Sequence, residues 1–381
     1  MKIVHLCLSN FYIDGYSYQE NELVAQNVAD GHKVTVVAST ETFGKDQRLT
    51  HCEPGSYLGL DGASVIRVPY RSLLPRVVMQ KLRMHRKIFQ ILMDLKPDVI
   101  LFHGTCGWEL NSVTRYKKIN PHVKFYVDSH EDFNNSARTF ASKWLLHFLY
   151  YKNIIKYNLK SIEKILCINL AAIDFLHTFY KIPKNELEFF PLGGNIYSNE
   201  DYENQRNHGR HKFQLGKEDI VFTQTGKMDV TKKLVEALNA FILNKNPNWR
   251  FIIAGVIHPD IEFLVDALIE KDSRIQYIGW LSSHDLTSLL CAADVYIQPG
   301  TQSATMQMSL CCRCAVIIDD VPSHHPFMNE NGWLINKAQS LNSIFTEIGL
   351  NEAKLPTMSK NSATIASDLL DYKKLAARLY H

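Results

Sequence analysis

The stretch MKIVHLCLSNFYIDGYSYQENELVAQNVADGHKVTVVA, Met1–Ala38, decides the fold. Lys2–Leu8 is a short apolar run that stops at the polar pair Ser9-Asn10. Glu20–Asp30 carries apolar residues at helical spacing (Leu23, Val24, Val28) and stops at Gly31, a residue suited to a helix C-terminus. Lys33–Ala38, KVTVVA, is β-branched and strand-like. Strand, helix and strand in this succession make a parallel β-α-β unit.

The rhythm continues outward. Val65–Val68, Val99–Phe102, Lys124–Val127 and Ile165–Ile168 are further strands, separated by helix-length segments. Asn195–Lys217 is polar and lacks apolar periodicity, so it reads as an interdomain linker. The rhythm then restarts, with strands at Ile220–Thr225, Arg250–Ala254, Ile275–Ile278, Val295–Ile297 and Ala315–Ile318. Helices are expected at Thr231–Leu243, Ile261–Lys271, His284–Cys291 and Thr305–Cys312. A chain of 381 residues suits two such domains. The expected class is therefore α/β: two doubly wound Rossmann-like domains, 1–195 and 218–360, joined by a linker at 196–217 and facing a central cleft. A C-terminal helix within 361–381 is expected to pack back on the first domain.

Composition narrows the function. Forty-two basic residues against 39 acidic ones leave a net charge of +3, which gives no argument for a nucleic-acid partner. The eight cysteines lie mostly in apolar runs, where a thiol behaves as a small hydrophobe. Cys311, Cys312 and Cys314 have no second ligand pair at zinc spacing, so no metal is expected. Met1 opens directly into a strand-like run, and no apolar stretch approaches the roughly 20 residues of a membrane span. A cytoplasmic protein is expected.

Ligands of open parallel sheets bind at the carboxyl ends of strands, so the residues after each strand matter most. Asp14, Gly15, Tyr16 and Ser17 follow the first strand; Asp14-Gly15 permits a tight turn, and amides before the next helix could cradle an anion. The loop reads equally as a plain connection, and it lacks the glycine fingerprint of redox-cofactor folds. After Val127 comes DSHEDFNNSA, in which His130 is flanked by carboxylates that could orient it. A lone histidine is often merely a surface or core residue, and both readings stand.

In the second half, TGKMDVTKK places Gly226, Lys227 and Lys232 at a strand-to-helix turn, with Thr231 as a helix cap. Lysines there suit a diphosphate, although solvated surface lysine is equally consistent. After Val295–Ile297 come Gly300, Thr301, Gln302, Ser303, Ala304, Thr305 and Gln307. Their neutral hydroxyls and amides can bond sugar hydroxyls, or can simply cap the helix. The chain has no Asp-x-Asp pair, no Gly-x-Ser-x-Gly elbow and no Walker loop, which removes support for a metal-diphosphate mechanism of that type, a serine hydrolase and an ATPase.

These motifs resemble glycosyltransferase family 4, retaining enzymes of the GT-B type. The resemblance rests on GHKVTVVAS (Gly31–Ser39), KPDVILFHG (Lys96–Gly104), VDSHED (Val127–Asp132), GKMDVTKK (Gly226–Lys233) and the run Tyr277–Gly300. Tyr18-Gln19-Glu20-Asn21 and the segment Asp128–Ser136 are similar to a bacterial branch that makes surface polysaccharides such as O-antigen and capsule. The resemblance implies that His130 lies beside the transferred sugar and Gly15 near the reacting groups. It implies that Lys227, where arginine is usual, and Lys232 grip the donor diphosphate, and that Gly300–Gln307 binds donor sugar and ribose. A nucleoside-diphosphate sugar, with UDP as the default nucleotide, would be the donor substrate, with no cofactor. A lipid-linked or growing glycan would be the acceptor.

Two departures bear on activity. The family's spaced pair of glutamates is missing: the second position falls near Gln307, and the first has no equivalent among Gly300–Ser303. Arg313 also stands where glycine is usual. A catalytically degraded sugar-nucleotide-binding partner and a sugar-nucleotide epimerase of the same fold therefore remain as alternatives. Finally, Arg71–Gln90 and Lys143–Tyr157 interleave basic residues with apolar and aromatic ones. This pattern suits peripheral contact with an anionic membrane at the inner face of the plasma membrane, or packing onto the sheet.

Overall fold

The structure, a computed structural model, describes residues 1–44, 49–133, 135–137, 139–140, 142–300 and 303–380. The chain forms two compact units, Met1–Pro191 with Tyr372–His381, and Leu192–Asp371.

Among the described residues, the first unit holds an eight-stranded sheet. Its order is Leu187–Phe189, Lys164–Cys167, Lys124–Ser129, Val99–Phe102, Lys2–Cys7, Lys33–Ser39, Ser64–Val68 and Gly55–Leu58. All neighbours are parallel except the last pair, which is antiparallel. The parallel strands are apolar on both faces because helices cover both. Val4, Leu6, Ile100, Phe102 and Phe125 pack into one core, while Ile3, Val99 and Leu101 pack into another on the opposite side. Lys2–Cys7 lies between Lys33–Ser39 and Val99–Phe102, so the winding reverses beside it.

Among the described residues, the second unit has a six-stranded parallel sheet: Ile275–Tyr277, Trp249–Ile257, Ile220–Met228, Val295–Gln298, Ala315–Asp319 and Gly332–Ile335. Its first strand, Ile220–Met228, is also central, and the winding again reverses beside it. Phe222, Phe241, Trp249 and Phe345 form an aromatic core cluster.

Two boundaries differ from the sequence reading. The expected linker, 196–217, contains a helix, Asn199–Lys212, that belongs to the second unit. Caps and charge define this helix, with no apolar stripe to announce it. The Ser198 hydroxyl accepts from the Asp201 amide, Glu200 and Asp201 occupy the first turn, and Arg210, His211 and Lys212 the last. A Cβ on Gly209 would stand 2.1 Å from the Ser288 carbonyl, so the helix touches Ser283–Ala292 at backbone distance. Arg206 then bonds the Cys291 carbonyl and pairs with Asp294 at 2.6 Å. At the other end, only the chain from Tyr372 joins the first unit, where Tyr372, Leu375 and Leu379 pack with Ile3, Leu23 and Leu101. Leu355–Ile365 remains with the second unit.

Candidate active site

The reversal of winding in the second sheet brings two loops together. One follows Ile220–Met228 and the other follows Val295–Gln298. Gly300 has φ +86°, and a Cβ there would lie 1.9 Å from the Thr231 carbonyl oxygen. Only glycine satisfies both the backbone angle and the approach. Gly226 has φ +123° with nothing within 4 Å of a Cβ, so its requirement is conformational. Gln224, buried beneath the turn, donates to the Lys232 carbonyl at 2.8 Å, while its Oε1 has no partner among the described residues. The two strand-end loops thus share one framework, with Lys232 on the turn.

Side chains around that framework depart from simple capping. Asp229 accepts from the Thr231 amide at 2.9 Å and from its hydroxyl at 2.5 Å, and a short 3-10 turn spans Val230–Lys232. The following helix begins at Leu234, so Thr231 does not cap it. Ser303 precedes the helix Ala304–Cys311 but makes no side-chain cap. Its hydroxyl instead donates to the Gln298 Oε1 at 2.8 Å, which also accepts from the Tyr296 hydroxyl at 2.7 Å. Thr225 and Thr305 bond the same tyrosine hydroxyl. Burial lowers the pKa of Lys232, with Asp229 opposing. Lys227 is exposed at the strand end. Gln307 is 2% exposed, and its Oε1 has no partner among the described residues. Thr301 and Gln302 lie outside the described residues. Lys233 pairs with Asp319 at 2.9 Å, and nearby His324 donates through Nδ1 to the Asp319 carbonyl at 2.7 Å.

The corresponding edge of the first sheet is built from charge and imidazole. Register sets Phe102 against Val127, so His103 and Asp128 follow on neighbouring strands. His103 Nδ1 lies 2.5 Å from Asp128 Oδ2, and the Gly104 amide donates to Asp128 Oδ1 at 2.7 Å. His5 Nδ1 meets His103 Nε2 at 3.0 Å, and His5 Nε2 lies 2.9 Å from the Asn27 amide. His130, 27% exposed, stands 3.7 Å from Asp128 Oδ1 and 4.0 Å from Glu20 Oε1.

These neighbours set the charges. Burial works against a charged His130, but the carboxylate of Asp128, then Glu20 and Glu131, outweighs it and raises the pKa to about 9. Burial also opposes ionisation of Asp128; the flanking His103 and His130 overcome it and hold the group well below the ordinary carboxylate range. Burial and His103 lower His5 to about 3. These neighbours favour a protonated His130 at neutral pH, and its ring is partly exposed.

The turn after the first strand is differently placed. The Tyr16 amide donates to the Ile13 carbonyl at 3.2 Å, and Gly15 takes φ +77°. The helix beyond, Gln19–Ala29, places Glu20 and Glu22 in its first turn, so carboxylates already occupy the positive end expected to attract an anion. Asp14 and Tyr16 line a cavity of about 540 Å³ with Phe43, Tyr57 and Arg67; Ser17 is exposed outside it. The sequence reading did not single out His5, and it quoted His103 and Glu20 only within motifs, with no role. His103 ends the run VILFH, the same strand-end position that singled out His130.

Residues 219–348 match the family model "Glycosyl transferases group 1". The second unit carries a glycosyl transferases group 1 domain. Both loops built around Gly226, Lys232 and Gly300 lie within this domain. No curated protein is significantly similar to the chain in sequence. Among solved structures, sucrose-phosphate synthase from Thermosynechococcus elongatus superposes with TM-score 0.65 at 15% identity, covering 99% of this chain and 97% of that one. Anabaena Alr3699/HepE in complex with UDP gives 0.65 at 13%, covering 99% and 98%. WaaG, a glycosyltransferase involved in lipopolysaccharide biosynthesis, gives 0.62 at 17%, covering 99% of each chain. At these identities the likeness establishes the fold, which is GT-B.

Proposed function

We propose that the chain is a retaining glycosyltransferase that moves a sugar from a nucleoside-diphosphate sugar, with UDP as the nucleotide, to a lipid-linked or growing glycan. The observation that carries this reading is the meeting of the Gly226–Lys233 turn with Gly300 inside a group 1 domain. The turn offers Lys227 and Lys232 for the diphosphate, and the Ser303–Gln307 segment offers neutral polar groups for hydroxyls. Charge leaving with the diphosphate is met by lysine and by backbone amides, so the reaction proceeds without a metal. His130 supplies a further positive group for the reacting sugar. Complexes of the Anabaena protein with UDP and UDP-glucose support a nucleotide-sugar donor.

The same reading assigns the protein to bacterial surface polysaccharide assembly at the inner face of the plasma membrane. Among the described residues no helix is long and apolar enough to cross a membrane. Leu73 (70%), Val77 (63%), Leu145 (60%) and Leu149 (57%) are exposed, however, and Arg76, Lys81, Lys143 and Lys152 lie in the same two segments. The Tyr150 hydroxyl bonds the Leu82 carbonyl at 3.0 Å and so joins the two segments. An anionic lipid surface matches this mixture.

A second reading, a sugar-nucleotide-binding partner without turnover, is favoured by the missing glutamates and by the amide of Gln307 where one would stand. Purified protein incubated with UDP-sugars separates the two. Release of UDP, with or without an added acceptor, supports the enzyme; binding without release supports the partner. A changed sugar still attached to UDP would identify an epimerase.

A further inference from the structure

The reading above uses His130 and leaves a buried chain of polar groups behind it without a task. Asn27, His5 and His103 are fully buried, and Asp128 nearly so. They come from a helix and three neighbouring strands: His5 and His103 are 98 residues apart in the chain, and His103 and Asp128 are 25 apart. Burying so many polar groups in one line is unfavourable unless each is satisfied.

Proton accounting gives the line a direction. The short contact to Asp128 requires His103 Nδ1 to donate. Buried neutral His5 can donate from one nitrogen only. If its Nε2 donates to the Asn27 carbonyl, His103 carries both ring protons and faces Asp128 as a cation. If the Asn27 amide is turned, Nδ2 donates to His5 Nε2, His5 Nδ1 donates to His103 Nε2, and His103 Nδ1 donates to Asp128; in both arrangements the His103 Nδ1–H is given to the carboxylate. In the second, every N–H in the line points towards the carboxylate. The Gly104 amide adds one more donor, and the other side of Asp128 Oδ1 faces His130.

We propose that Asn27, His5 and His103 are positioning residues: a buried hydrogen-bond relay that holds Asp128 ionised and aimed at His130, so that His130 works as a cation. The proposal rests on the glycosyltransferase reading only for the use made of that cation. Other groups facing His130 are Glu20 from the helix and Glu131 next in sequence. Glu131 is itself tied to the Ser129 hydroxyl at 2.5 Å and the Thr105 amide at 3.2 Å. The thiols of Cys7 and Cys167 also face Asp128, and burial pushes both up, so they stay neutral. Among the described residues no lysine or arginine pairs with this carboxylate, which leaves the imidazoles and the amide to balance it.

The test is an NMR titration of the His130 ring in the full chain, read alongside the pH profile of UDP release. In the wild type the ring is expected to titrate near 9. In Asp128→Asn the midpoint falls towards the ordinary value of about 6.5. His103→Leu, which removes the donor, lowers it part of the way, and His103→Asn, which restores an N–H near the Nδ1 position, recovers it. The alkaline limb of activity moves with each midpoint. A wild-type midpoint below 7 overturns the proposal and needs no variant to fold. So does an unchanged midpoint in folded Asp128→Asn or His103→Leu. Midpoints that move while the activity profile stays fixed leave the relay standing and overturn the use of His130 in the reaction.

Discussion

The two sheets reverse their winding in the same way, each beside its own first strand, yet they fill the resulting crevice with opposite chemistry. In the first unit the strand ends carry imidazoles and carboxylates: His5, His103, Asp128 and His130, with Glu20 across from them. In the second, glycine lets two backbones meet, lysines flank the turn, and the other side chains are neutral. Winding supplies a place where two loops diverge; the residues on those loops select the ligand. A buried charge network suits a fixed electrostatic role, because its partners cannot reorganise. A glycine-opened turn suits close approach of a diphosphate, because backbone amides reach it without intervening side chains.

The largest effect should come from the charged crevice. His130→Ala is expected to lower the rate of UDP release on the order of 10²–10³-fold while the chain still folds, with the melting temperature lowered by no more than corresponds to the roughly 1–3 kcal/mol its ion pairing contributes. The side chain is 27% exposed, so its loss opens no core cavity. Normal turnover in this variant would remove the first crevice from the reaction.

The lysine turn comes next. Lys232→Ala should weaken UDP-sugar binding by about 1.5–3 kcal/mol in calorimetry, the range of a charge-assisted hydrogen bond. Lys217→Ala, exposed before the first strand of the same unit, should leave affinity unchanged. Equal affinities in the two variants would break the assignment of the diphosphate to this turn.

Glycine substitutions sharpen the contrast within the second unit. Gly300→Ala should destabilise the chain by about 1–3 kcal/mol, since it combines a left-handed backbone with a contact that the Thr231 carbonyl must yield to. Gly226→Ala faces no such contact and should cost less. Urea melts of both variants check the order, and the reverse order would show that the loops do not meet as described.

The smaller effects concern pH and lipid. The folded pKa of His130 lies above its unfolded value, so its contribution is complete below about 6.5 and is lost as pH rises through about 9. The loss should amount to about 1–3 kcal/mol, moderated by the open side of the ring. His130→Ala should remove that part of the alkaline decline in denaturant melts. Asp128 acts with the opposite sign: its depressed folded pKa contributes above the ordinary carboxylate range and is lost on acidification. Last, sedimentation with vesicles should give binding that rises with anionic lipid content and falls with salt. Binding indifferent to both would refute the electrostatic part, and no binding would leave Leu73, Val77, Leu145 and Leu149 as solvated apolar residues.

Local pattern was enough for the winding. Alternation of β-branched runs with helical periodicity is written in consecutive residues, and so are strand ends, which is why the sequence alone places Gly226, Lys232, Gly300 and His130 on loops that follow strands. The helix Asn199–Lys212 was not legible, because it is held by caps, terminal charges and a single glycine contact rather than by an apolar stripe. Nor was the departure of the chain at Tyr372 to the first unit, since apolar spacing does not say which core it will fill.

What the sequence determined by itself was two wound α/β sheets and the loops on which polar residues would gather. Tertiary structure alone decided which of those residues touch. His5 reads as one polar residue inside an apolar strand, and only strand order places His103 beside it and Asp128 beside His103. The physical reason is range. Secondary structure follows from interactions between residues a few positions apart, whereas a line of hydrogen bonds needs donors and acceptors within about 3 Å, supplied by strands that the chain visits far apart in sequence.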